Sequence, residues 1–140
     1  MIKFVTKIVL KLAQKPKNLF LIDAIGAMIT TVILVVILIN FNHYFGISKT
    51  TFSYLSLFVA FLCIYSTTCF FFLKDNWVIY IRIISSANLL YCLFTLGLMI
   101  FNHAELTIIG LIYFLVEMAI IIGLVYIELS VVNTIKEKKK

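Results

Sequence analysis

Four long apolar runs, over residues 19–41, 51–73, 77–101 and 106–129, are separated by short polar breaks at 42–50, 74–76 and 102–105. As an α-helix each run reaches roughly 35–38 Å, enough to cross a hydrocarbon core about 30 Å thick with some tilt. The alternation of polar and apolar residues that an outer-membrane strand needs is absent. The pattern predicts an all-α protein: an integral membrane four-helix bundle over 19–130 and a basic tail over 131–140. The breaks are too short to build a domain outside the membrane, so a site must lie between the helices or at the outer rim.

Residues 1–18 follow a different pattern. Lys3, Lys7 and Lys11 recur every fourth residue, and Val5, Ile8, Val9 and Leu12 fill the opposite arc. This predicts a short amphipathic helix on the inner leaflet, its lysines at the lipid headgroups, ending near Pro16. Asn18 is then the candidate cap of the first span. Lysines interrupt the apolar region of a secretory signal and no small-residue cleavage site follows the first span, so the segment is expected to be retained.

Composition agrees with the pattern. The chain is 64% hydrophobic and 13% charged, where soluble domains run about 45–50% and about 25%. Of the 12 lysines and arginines, only Lys49 falls in the first or third break. The positive-inside rule therefore puts both termini in the cytoplasm. The net charge of +6 reads as a topology and headgroup signal, and nucleic acid is a poor partner for lysines outside any folded basic module.

The informative residues are those a lipid-facing helix should lack: Asp23, Arg82, Glu117 and Glu128. A charge at mid-bilayer costs at least about 2.5–3.5 kcal/mol on insertion scales, so such groups turn inward and find partners. Glu117 is mid-span, level with Asn88, which is one turn from Tyr91 and Cys92. It is either a carboxyl that exchanges a proton, a cation or a basic solute, or structural glue bonded to Asn88 or Tyr113. Asp23, Arg82 and Glu128 all fall toward the cytoplasm and could form one network, although Arg82 and Glu128 could also snorkel to the headgroups. Each span has a small or polar stripe: Asp23, Gly26, Ala27 and Thr30; Ser53, Ser56, Ala60, Cys63 and Thr67; Ser85, Asn88, Cys92 and Thr95; Gly110, Tyr113, Glu117, Leu124 and Glu128. Helix association in lipid uses such stripes. Ala119 and Gly123 form a small pair on the far side of the last span, open to another helix.

The remaining chemistry is sparse. Cys63, Cys69 and Cys92 form no C-x-x-C and read as packing residues. His43 and His103, with Glu105, offer at most a shallow metal site at the outer rim, and no cofactor is expected. Trp77, Tyr80, Tyr44 and Phe45 fit interfacial belts. Phe41-Asn42-His43 recurs as Phe101-Asn102-His103, a faint repeat for which coincidence is the simpler reading. No nucleophile–base pair, phosphate loop or nucleotide fingerprint is present.

Four stretches carry a resemblance: Leu21-Ile22-Asp23-Ala24-Ile25-Gly26-Ala27, Tyr44-Phe45-Gly46, Asn88-Leu89-Leu90-Tyr91-Cys92, and Gly110 to Phe114 through Glu117. With these the chain resembles a group of small four-span bacterial inner-membrane proteins that have no assigned activity, and the resemblance brings no catalytic motif. The sequence thus predicts a non-enzymatic accessory, assembly or sensor subunit of a membrane complex, its partners being lipids and other subunits or copies of itself. The alternative is a small oligomeric proton- or cation-coupled transporter using Glu117. The orientation is checked by cysteine labelling: Thr50→Cys and Ala104→Cys react with an impermeant maleimide in intact cells, and Glu137→Cys only after permeabilisation.

Overall fold

A computed structural model describes residues 1–140, Leu38 and Ile39 through their backbone alone. Six helices follow one another: α1 (Ile2–Gln14), α2 (Lys17–Asn40), α3 (Asn42–Phe45), α4 (Lys49–Phe72), α5 (Trp77–Phe101) and α6 (Ile108–Lys138). Of these α2, α4, α5 and α6 are long and apolar enough to cross a membrane. The fold is an all-α, multi-span membrane architecture, and among the described residues no strand occurs.

The ends of the spans are set by local chemistry. The Ser48 hydroxyl accepts the Thr51 N–H at 3.3 Å and starts α4; the Thr107 hydroxyl accepts the Gly110 N–H at 3.2 Å and starts α6. Each quiets one of the donors left free at a helix start. Asn18 does not cap α2 as expected. Pro16 holds the cap position without a side-chain bond, and Asn18 already lies within the helix. Proline suits the boundary because it has no N–H to leave unpaired.

The four long helices pack as two hairpins, α2 with α4 and α5 with α6, while α4 and α5 touch more sparingly and α2 and α6 scarcely meet. The paired helices start at matching intervals, Lys17 and Trp77 being 60 residues apart and Lys49 and Ile108 being 59 apart. Their buried faces do not match, however. Position 83, the counterpart of buried Asp23, is an exposed isoleucine. The hairpins share length without sharing contacts.

Two short helices join the hairpins at their ends. α1 turns Val9 and Leu12 inward, flanked by Val5, Ile8 and Ala13, and packs against α6 in the buried cluster that holds Val131, Val132 and Ile135. Its apolar arc therefore faces protein, while Ile2, Phe4, Leu10 and the three lysines stay exposed. The basic tail is likewise no separate segment, because α6 continues unbroken to Lys138; no Gly or Pro interrupts it after Gly123. At the other end, α3 docks on the start of α6. The Thr107 N–H donates to Phe45 O at 3.2 Å and the Thr107 hydroxyl donates to Tyr44 O. Phe45 is buried, edge-on to Phe52 and Tyr113, so it belongs to the core and not to the interfacial belt.

Two glycines make this α3–α6 joint possible. Gly46 adopts φ +72°, and a Cβ there would stand 1.7 Å from Glu105 O; a Cβ on Gly110 would stand 2.6 Å from Phe45 O. A Cβ on Gly123 meets nothing within 4 Å. Gly110→Ala is therefore expected to destabilise the protein by about 1–3 kcal/mol, and Gly123→Ala to stay within about 0.5 kcal/mol of wild type. Unfolding in mild detergent, followed by helicity, compares the two.

Candidate functional site

Three carboxyl groups are buried among the helices: Asp23 on α2, Glu117 and Glu128 on α6. Each is held by neutral partners. The Ser66 hydroxyl of α4 donates to Asp23 Oδ2, and the Asn88 amide of α5 donates to Asp23 Oδ1 at 3.1 Å. The Tyr91 hydroxyl donates to Glu117 Oε1 at 3.0 Å, and the Ser85 hydroxyl to Glu128 Oε2 at 2.7 Å. Among the described residues no Lys, Arg or His nitrogen bonds any of the three. The second oxygens, Glu117 Oε2 and Glu128 Oε1, are buried and have no hydrogen-bond partner among the described residues.

Helical phase explains the grouping. On α5 the inward face runs Ile81, Ile84, Ser85, Asn88, Tyr91, Cys92 and Thr95. On α6, Glu117 and Glu128 lie eleven residues apart, about three turns, so they share a face at different depths. Arg82 does not join the cluster. It falls one step off the inward face of α5, is exposed, and lines only a shallow outer groove with Ile79, Ile83 and Ser86. Nor does Asn88 meet Glu117 as expected: Asn88 serves Asp23, and Tyr91 takes Glu117. Tyr113 is near the site without bonding Glu117, its ring packed on Phe45 and Phe114.

The stripe read for the second span is also shifted. Ser53 is exposed and donates to Lys49 O at 2.9 Å, whereas α4 buries Phe52, Leu55, Ser56, Val59, Leu62, Ser66 and Cys69. Cys63 lies at the α2 seam, its thiol 3.5 Å from Ala24 O. Ser66 is the residue sequence reasoning missed. Its signal was its depth: six residues before the end of α4, it is level with Asp23, six residues after the start of α2.

Asp23, Asn88, Tyr91 and Glu117 front one cavity of about 490 Å³ between α2 and α6. Gly26, Ala27 and Thr30 floor its α2 side, Val59 and Leu62 are its α4 contribution, and Tyr113, Ile121 and Leu124 line it from α6. The volume lies within the range of small-molecule sites, about 300–1,000 Å³. Glu128 stands outside this lining, beside Asn88 and within electrostatic reach of Asp23. Chemically the cavity is mostly apolar, with two carboxyl groups in its lining. Each carboxyl must carry a proton or meet a cation from elsewhere, since an unpaired carboxylate in hydrocarbon is costly.

The two histidines are apart from all this. His43 is exposed and its ring sits 4.1 Å from that of Tyr44, while His103, in the turn after α5, has its Nδ1 2.9 Å from Ile100 O. Glu105 is exposed nearby, and among the described residues no group of three or more His, Cys, Asp or Glu is disposed to hold a metal ion. Lys3, Lys7 and Lys11 are exposed along α1, away from the cavity.

No protein-family model matches the chain, and no curated protein or solved structure matches it either. The site's own geometry is therefore what bears on function. Tyr91→Phe removes the one side-chain donor to Glu117 among the described residues and is expected to cost about 0.6–1.7 kcal/mol, the scale of an interhelical hydrogen bond in a membrane. With Glu117→Gln in the background, the cost of Tyr91→Phe should fall. A double-mutant cycle on unfolding in detergent measures that coupling.

Proposed function

We propose that the protein is a small, oligomeric inner-membrane carrier that exchanges protons or a cation against a solute at Glu117. One observation carries the reading: Asp23 and Glu117 front the same cavity, and neither has a cationic partner among the described residues. A structural carboxyl needs no cavity beside it. A carboxyl at the wall of a cavity can release its proton to water as a cation arrives to pair with the carboxylate, and take up a proton again when the cation leaves.

The hairpin arrangement suits such an exchange. Between the two hairpins, side-chain hydrogen bonds among the described residues occur at Asp23–Asn88, at the Tyr65 hydroxyl to Tyr80 O (3.2 Å), and at the Thr107–Tyr44 outer joint. Asp23 thus both faces the cavity and ties the hairpins together, so its charge state acts on their contact. With both termini cytoplasmic, Asp23 and Glu128 lie on the inner side of Glu117, and the lysines of α1 meet anionic headgroups.

A second reading, an accessory or sensor subunit without catalytic activity, is favoured by the far side of α6. Ala119 and Gly123 are exposed there, and small residues let helices approach closely in lipid. Co-purification of other membrane proteins in mild detergent is its expected consequence; a homo-oligomer alone counts against it.

The carrier reading is tested in sealed vesicles with purified protein. An imposed proton gradient should drive accumulation of a basic solute, and Glu117→Gln should reduce the coupled flux by roughly a hundredfold, the loss expected when an essential titrating group goes. Flux unchanged in Glu117→Gln refutes the reading. Asp23→Asn is expected to be less severe, because the amide retains the Ser66 and Asn88 bonds in part.

A further inference from the structure

Resting on the carrier reading, we infer that the ligand is an amphipathic cation, an apolar body bearing positive charge, admitted sideways from the lipid through the gap between α2 and α6. Three observations converge on this. The first is the shape of the gap. α2 and α6 scarcely touch, and the cavity between them is rimmed by Ile29 and Ile33 on α2 and by Val116 and Ile120 on α6, all exposed on the membrane face. The second is closure at the ends. The helices flanking α2 in the chain both reach across to α6, α1 near Val131 and Val132 and α3 at Thr107 and Gly110. Phe45 and Tyr113, edge to face at 5.5 Å, stand between the cavity and the outer end. The side is open and the ends are covered.

The third is charge. Glu117 is only 8% exposed yet lines the cavity, and its Oε2, itself buried, has no hydrogen-bond partner among the described residues. The groups facing it are Asp23 from α2, Tyr91 and Cys92 from α5 and Tyr113 from α6; α4 offers Val59 and Leu62. None supplies a positive charge. An anion finds no complement beside Asp23 and Glu117, and a small hydrated cation finds mostly apolar surface over the rest of the lining, from Ile29 and Ile33 to Val116, Ile120 and Leu124. A cation with apolar substituents satisfies both. As it binds, the Glu117 carboxyl releases its proton to water and the carboxylate pairs with the bound charge, so one charge replaces another and no net charge is buried. The groove between α4 and α5, about 500 Å³ in volume, shows the contrast. It is lined by Phe61, Leu62, Ile64, Tyr65, Thr68, Ile83 and Ala87, and no carboxylate faces it.

The test uses the whole protein in phosphatidylcholine nanodiscs, whose zwitterionic headgroups do not concentrate cations. Tetraphenylphosphonium, tetramethylammonium and tetraphenylborate are compared by equilibrium dialysis, with a pH-indicator dye following proton release. Tetraphenylphosphonium should bind at least roughly tenfold tighter than tetramethylammonium, with tetraphenylborate near background and Glu117→Gln losing roughly tenfold or more. A diazirine-bearing lipophilic amine, applied to the wild type, should label Ile29, Ile33, Val116 or Ile120. That arm stands even if the Glu117 variant misfolds.

Tetramethylammonium binding as tightly as tetraphenylphosphonium, or label confined to other surfaces, overturns the inference. A phospholipid or second copy of the chain that holds the gap against the cation does so too. If the dye still reports proton release in those cases, exchange at Glu117 survives and only the lateral amphipathic ligand is lost. No cation bound, together with unchanged vesicle flux in Glu117→Gln, ends both.

Discussion

Carboxyl groups placed in hydrocarbon without cations constrain this structure more than any other feature. Asp23, Glu117 and Glu128 would each cost at least about 2.5–3.5 kcal/mol as lone charges at mid-bilayer, so each has drawn a donor from another helix: Ser66 and Asn88, Tyr91, and Ser85. Those donors fix the rotation of α4 and α5 about their axes. With Asp23 bonded to both, α2, α4 and α5 share one register, and the two glutamates set α6 against α5. Apolar packing then fills the space between, with Phe20, Phe52, Leu55, Ile81, Ile84 and Phe114 almost wholly buried. Apolar contacts alone would not select this rotation, because lipid tails satisfy an apolar side chain as well as another helix does.

The spans were legible because length and hydropathy decide them. A run of apolar residues long enough to cross a bilayer leaves its backbone no alternative to a helix. The inward faces of α5 and α6 were legible as well, since Asn88, Ser85 and Glu117 are too polar to face lipid. The α4 face was not. Ser53, Ser56, Cys63 and Thr67 looked equivalent to Ser66 on polarity, but Ser and Thr can bond their own helix's carbonyls, as Ser53 does with Lys49 and Thr67 with Cys63. A hydroxyl satisfied within its own turn says nothing about which face is buried.

Arg82 illustrates a related ambiguity. Opposite charges at one depth suggest a network, but an arginine near a helix start reaches the headgroups at little cost, while burying it with Asp23 would desolvate both. The structure keeps Arg82 outside and leaves neutral donors inside. Neutral donors have a functional consequence that an ion pair would lack. They hold a carboxyl in place without compensating its charge, which is what the proposed exchange of a proton for an external cation requires.

The cavity itself follows from the chain's short helices. In an up-down bundle of four, the first and last helices ordinarily adjoin and close the ring. Here α1 and α3, on either side of α2, are the segments that reach α6, and they do so at opposite ends of the span. The glycines at 46 and 110 let α3 settle directly on the α5–α6 turn. With α6 engaged above and below, α2 has no long seam left with it, and the middle of the bundle stays open on that side. The floor of that opening holds Gly26, Ala27 and Thr30, which are too small to fill the space. Glu117 therefore lines a cavity, and does not pack against α2, because α1 and α3 take up the contacts with α6 at its two ends.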